Sequence, residues 1–245
     1  MQAVPGRRER GGRYGLLLLF LIGTYLFSAF NGARLTTEVQ IGLFAVVLLL
    51  GMRSSPLPGR WPLVVSALAI AGSAGALAAA LSGTPAGEGA AELWKALLLL
   101  MTAVVVIRRV LAKPTVTIQS LYGAISAYLI IGLMFAACYA AVYRLENGTD
   151  FFADNQPTNT QTLQYFSFTT LTTLGYGDFT AARNGGRSIA VLEAMAGQVF
   201  LATLVARLVS AYQRPTPRIR PEGDDGPDGD DEDSGTRAAA GEGSG

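Results

Sequence analysis

Histidine is absent from this chain, and cysteine occurs once, at Cys138. The first absence removes a Ser-His nucleophile, a His-ligated metal and a histidine pH switch together. A single cysteine forms no intrachain disulfide, and Cys138 falls inside an apolar run, where a lone thiol acts as a small packing residue. Charge is scarce as well: 15% of the 245 residues are charged, and the formal net charge is +1. So weak a field suggests no nucleic-acid partner. What fills the chain instead is apolar, with 50% hydrophobic residues and a mean hydropathy of +0.35. Long apolar runs in such a composition point to a polytopic membrane protein rather than a soluble core.

Six apolar runs are visible, at 14–30, 37–52, 62–81, 93–111, 118–143 and 188–212. Each is near the ~20 residues that carry a helix across the hydrocarbon. The fourth is expected to snorkel at its ends, because Lys95 and Arg108 flank its uncharged stretch. The third contains Ala71-Gly72-Ser73-Ala74-Gly75-Ala76, small residues that allow close helix approach. The cations between runs alternate in density. Twelve of them (Arg7, Arg8, Arg10, Arg13, Arg53, Arg60, Arg108, Arg109, Lys113, Arg214, Arg218 and Arg220) fall on one side of a six-span topology. Five (Arg34, Lys95, Arg144, Arg183 and Arg187) fall on the other. This bias places both termini in the cytoplasm of a multi-pass plasma-membrane protein. Reading the first run as a cleaved signal peptide would break that alternation.

From Arg214 onward the composition changes to Pro, Gly and Asp. After residue 221 nine carboxylates face the single cation Arg237, so the tail cannot bury enough apolar surface to order itself. The expected organisation is a basic cytoplasmic N-terminus at 1–13 and four membrane helices at 14–113. A pore domain at 114–213 and a disordered acidic tail at 214–245, with room for an unknown partner, complete it. The fourth run lacks the ladder of arginines a voltage sensor needs, since each charge crossing 100 mV yields only ~2.3 kcal/mol.

Between the fifth and sixth runs lies Thr172-Thr173-Leu174-Gly175-Tyr176-Gly177-Asp178. Irregular backbone at membrane depth is tolerated only where it is buried in protein or lines a watery cavity. A short helix over 160–171 followed by this loop, re-entrant between two spanning helices, meets that condition. Gly175 and Gly177 accept positive φ, so successive carbonyls can point at one axis. Thr173 can add its hydroxyl oxygen at the inner end, and Asp178 stands at the outer mouth.

These residues resemble the selectivity filter of potassium channels, in which rings of backbone carbonyls replace the water of the ion. Residues 118–212, about two-fifths of the chain, resemble the pore module of the prokaryotic six-span, single-pore potassium channel family. The resemblance implies an all-α membrane fold with six transmembrane helices, a re-entrant pore helix and filter loop, and a homotetrameric pore in membrane lipid. It implies K⁺ sites at Thr173, Leu174, Gly175 and Tyr176, with Gly177 completing the filter. K⁺ enters as permeant ion, with no cofactor. Tyr165, Phe166 and Phe168 take the positions of pore-helix aromatics, and Thr172 closes that helix. Thr169 stands where some relatives carry a glutamate that braces the filter aspartate, which leaves the bracing of Asp178 open. Glu193, an ionisable residue inside a span, is a candidate support behind the filter or a protonated structural residue. Gln198 is a candidate for pairing across helices. Gly197 matches a gating-hinge glycine, and close helix packing is the other reading of it. The expected activity is passive, K⁺-selective conduction without steep voltage gating and without enzymatic chemistry. The alternatives are a weakly selective cation channel, against which Tyr176 speaks, and a non-conducting membrane scaffold or sensor.

Overall fold

The computed structural model describes residues 13–30, 61–112, 117–146 and 150–212, together with Gly42 and Gly148. Apart from Arg13 and Gly42, the basic N-terminus, the second apolar run at 37–52 and the acidic tail lie outside the described residues. The described elements are all helical: α1 (Arg13–Phe30), α2 (Trp61–Leu81), α3 (Pro85–Ala112), α4 (Ile118–Leu145), α5 (Thr160–Leu171) and α6 (Asn184–Tyr212). Among the described residues three helices are long and apolar enough to cross a membrane: Pro85–Ala112, Ile118–Leu145 and Asn184–Ser210, with mean hydropathies of 2.0, 2.1 and 1.9. The apolar stretches Leu17–Leu26 and Ser66–Leu81 are shorter.

Helix α3 corrects the sequence reading at its N-terminus, beginning at Pro85 rather than at residue 93. Hydropathy marks only where the chain turns apolar, whereas capping sets where the helix starts. Thr84 accepts the Gly87 N–H on Oγ1 at 3.1 Å and the Glu88 N–H on its carbonyl at 2.9 Å. Pro85 then occupies the first helical position, where its missing N–H is no loss. The link from α2 shrinks to Ser82, Gly83 and Thr84.

That early start carries Lys95 inward. Instead of snorkelling, it is 5% exposed and lies 2.5 Å from Glu92, itself 7% exposed, one turn before it. A buried cation keeps its charge only beside such a partner. The other described cations assigned to the same side are also engaged. Arg144 meets Glu88 at 2.6 Å, Arg183 meets Glu146 at 3.5 Å, and Arg187 donates to the Ala181 carbonyl at 2.9 Å.

Helices α3 and α4 run antiparallel and form the longest seam of the fold. Ala91, Leu98, Leu99 and Val106 lie on one side and Ala124, Ala127, Ile130 and Leu133 on the other, all buried. Spacings of seven residues on α3 and three on α4 give the helical stripe that a packed face requires. Buried hydroxyls within the seam return to their own helix, as Thr102 does to Leu98 O at 2.7 Å. Helix α2 packs on α3, with Gly72 under the indole of Trp94 and Trp94 Nε1 donating to Ser73 Oγ at 3.2 Å. The small-residue segment of the third run is therefore a packing face for Trp94. Helix α1 lies on α4 and reaches α5 through the Tyr25 and Phe168 rings, 5.2 Å apart.

Candidate functional site

Helix α5 stands between α4 and α6 and ends in the glycine-rich loop. Its start is set by Asn159, whose Oδ1 accepts the Thr162 N–H at 2.9 Å while Thr162 Oγ1 accepts the Asn159 N–H at 3.0 Å. This capping box uses Thr where Glu is usual, which satisfies the orphan N–H groups without placing a charge there.

At its C-terminus the loop folds back over the last turn. The N–H groups of Thr172, Thr173, Leu174 and Gly175 donate to Phe168 O, Thr170 O, Thr169 O and Thr169 O, at 3.1, 2.9, 2.9 and 3.2 Å. Those carbonyls are the orphan acceptors of a helix end, and the loop consumes them. The φ angles then alternate in sign: Thr173 at +58°, Gly175 at +53° and Gly177 at +80°, with Leu174 and Tyr176 between them negative. Alternating hand turns successive peptide planes so that the N–H groups share one side and the carbonyls the other. Among the described residues, none donates a hydrogen bond to the carbonyls of Thr173, Leu174, Gly175 or Tyr176. Unmatched carbonyls on one edge are hard oxygen ligands suited to an alkali cation. The left-handed backbone of Thr173 is unusual for a β-branched residue and is not legible in the sequence.

The outer end of the loop is held by aromatic packing. Tyr165 donates to Asp178 Oδ2 at 2.8 Å, which supplies the brace left open by Thr169. Thr169 acts through its backbone, since its hydroxyl turns to Phe166 O at 3.0 Å. Phe179 stacks edge-on against Tyr165 and Phe152, and Phe152 against Phe166. Two backbone hydrogen bonds of 2.9 Å, Ala153 N to Thr180 O and Ala182 N to Phe151 O, pin the chain after the loop to the segment before α5. Phe168 departs from this set: it faces α1 and Gly132 rather than the loop. Thr172 Oγ1 donates to Phe168 O at 2.7 Å and closes the helix.

Behind α5, Glu193 is fully buried. Its carboxyl meets Tyr139 Oη at 2.6 Å and Ser167 Oγ at 2.5 Å, so α4, α5 and α6 join at this one group. Tyr139 and Ser167 were not singled out in the sequence; a polar residue flanked by Phe166 and Phe168 was the available signal. Gly197 lies against Leu171, where an added Cβ would meet the Leu171 carbonyl oxygen and Cδ1. Tyr128 donates to that same carbonyl at 3.2 Å. Gln198 Nε2 reaches Thr173 Oγ1 at 3.5 Å, linking α6 to the inner end of the loop.

Among the described residues, the loop and α6 are both widely exposed. Leu174 and Tyr176 are 54% and 69% exposed. Only 11% of the apolar stretch of α6 is buried, against 50% and 56% for α3 and α4. Val191, Leu192, Met195 and Val199 of α6 are each at least 60% exposed.

No curated protein matches the chain. A family model described as an ion channel matches residues 124–214, the span from α4 through the loop to the end of α6. This part of the chain is similar to an ion-channel pore, carried on apolar helices long enough to cross a membrane.

Proposed function

We propose that the chain is a subunit of a potassium-selective channel in the plasma membrane, four copies of which enclose one conduction path. The observation that carries this reading is the row of unmatched carbonyls from Thr173 to Tyr176, aligned by alternating φ. One such row cannot surround an ion, whereas a closed cyclic assembly can. Dehydrated K⁺ would pass from ring to ring, each ion displaced by the next. The partly negative C-terminal end of α5 faces the inner side of the loop and favours a cation there. Six spans, with α5 and the filter re-entrant between the last two, put both termini on the cytoplasmic side. The pair of Lys95 with Glu92 leaves the fourth span without a row of free charges, so opening does not depend steeply on voltage. Conduction is passive and involves no bond chemistry.

Flux through proteoliposomes tests this. A K⁺ gradient should drive a current that vanishes when Na⁺ replaces K⁺. Equal Na⁺ and K⁺ currents would replace this reading with a weakly selective cation channel, and no current with either ion would remove the channel reading.

A further inference from the structure

We infer that Glu193 is held as a neutral carboxylic acid, the central donor of a one-way hydrogen-bond chain that locks the inner helix to the pore helix and the outer helix. Three oxygen–oxygen contacts lie in series: Tyr139 Oη to Glu193 Oε2 at 2.6 Å, Glu193 Oε1 to Ser167 Oγ at 2.5 Å, and Ser167 Oγ to Gly132 O at 2.7 Å. Each distance is that of an O–H···O hydrogen bond, and each such bond needs a proton between its oxygens. Tyr139 supplies one proton, Ser167 supplies one, and the Gly132 carbonyl supplies none. Two protons cannot fill three contacts. The third sits on the carboxyl group.

With it in place the chain runs in one direction. Tyr139 donates to Oε2, the carboxyl O–H on Oε1 donates to Ser167 Oγ, and Ser167 donates to Gly132 O. Without it, Ser167 must abandon either Gly132 or Glu193, and two oxygens face each other through lone pairs. No water relieves that conflict from outside, because Glu193, Tyr139 and Ser167 are all 0% exposed. A buried ionised carboxylate persists only beside a cation, and otherwise takes up a proton. Among the described residues no Lys or Arg lies within ion-pair distance of Glu193. The titratable groups around it are Tyr128, Cys138 and Tyr139, all on α4 and all acids whose ionisation adds negative charge. On α5 the nearest titratable side chain, Tyr165, is turned to Asp178, and on α6 Arg187 is engaged by Ala181 O.

The chain also explains why these residue types meet here. A carboxylic acid is donor and acceptor in one planar group, so it joins a phenol on α4 to a hydroxyl on α5 in a single step. Its effect on the pore rests on the channel reading above: α5 carries the loop, and Glu193 fixes α5 from behind.

Difference infrared spectroscopy of the full-length protein in membranes at neutral pH tests the inference. The wild type should show the carbonyl stretch of a protonated carboxylic acid, shifted in heavy water and lost in E193Q. A Glu193 carboxylate signal in place of that band would overturn the inference. Glutamine can present an N–H to Ser167 Oγ and its carbonyl to Tyr139, with a second N–H left over, so E193Q should retain assembly and melt above E193A, which loses both contacts. An E193Q protein that fails to assemble would show that the negative charge is needed and would also overturn it. The band is read without conduction. A wild type that shows it yet passes no K⁺ would count against the channel reading alone.

Discussion

Thr173 holds a left-handed backbone that its branched side chain disfavours, and the surrounding hydrogen bonds maintain it. Its N–H is tied to Thr170 O at 2.9 Å and the next two N–H groups to Thr169 O. The conformation is over-determined from one side, which leaves the carbonyl side free. Gly177 has the same hand at φ +80°, with open space around a would-be Cβ, so substitution there is opposed by backbone conformation and not by a clash. Gly177→Ala is expected to insert and assemble at a cost of about 1–2 kcal/mol for left-handed alanine, yet to lose K⁺ current in planar bilayers. Undiminished current would separate the loop from conduction. Gly197 is the opposite case, a helical glycine whose Cβ would strike the Leu171 carbonyl. Alanine there gains up to about 1 kcal/mol of helix propensity, and forcing a methyl into a filled site costs about 1–3 kcal/mol, so Gly197→Ala should lower the melting temperature. A rise would mean that the contact yields and that α6 has room to bend.

At the scale of elements, α5 and α3 show two ways in which local chemistry overrides hydropathy. Helix α5 was legible as residues 160–171 because the glycine-rich heptad marks its end and the stretch before it is long enough for a short helix. The early start of α3 was not, since its first turns carry Glu88, Glu92 and Lys95 and look like a loop to a hydropathy scale. Tertiary packing against α4 is what makes that charged turn worth burying. Replacing Lys95 by Met would leave Glu92 buried without its cation, and breaking a buried pair on one side costs about 3–5 kcal/mol. K95M should therefore lower thermal stability sharply, and the double variant E92L/K95M should recover most of it. Equal stability of wild type and K95M would mean that the pair is reached by water.

On the proposed function, a single chain is only one part of the conducting assembly. Helix α6 is as apolar as α3 and α4 yet buries little of its surface, while Leu174 and Tyr176 project from the loop. Lipid can cover one apolar face of a helix, but it cannot accept the exposed polar edge of a filter loop. Further copies of the chain can. Native mass spectrometry from a mild detergent should record four chains per particle, and a stable monomer that conducts would contradict the assembly.

The apolar runs and the Thr-x-Gly-Tyr-Gly pattern were enough to point to apolar helices long enough to cross a membrane and to a candidate filter, because hydropathy and glycine conformation are properties of local sequence. Which groups meet across helices was decided by tertiary structure alone. Tyr165 reaching Asp178, Glu193 joining Tyr139 to Ser167, and Gly197 resting on Leu171 link residues 13 to 54 positions apart or on different helices. No local pattern encodes such meetings, since they depend on how helix faces rotate and seat against one another when the chain packs.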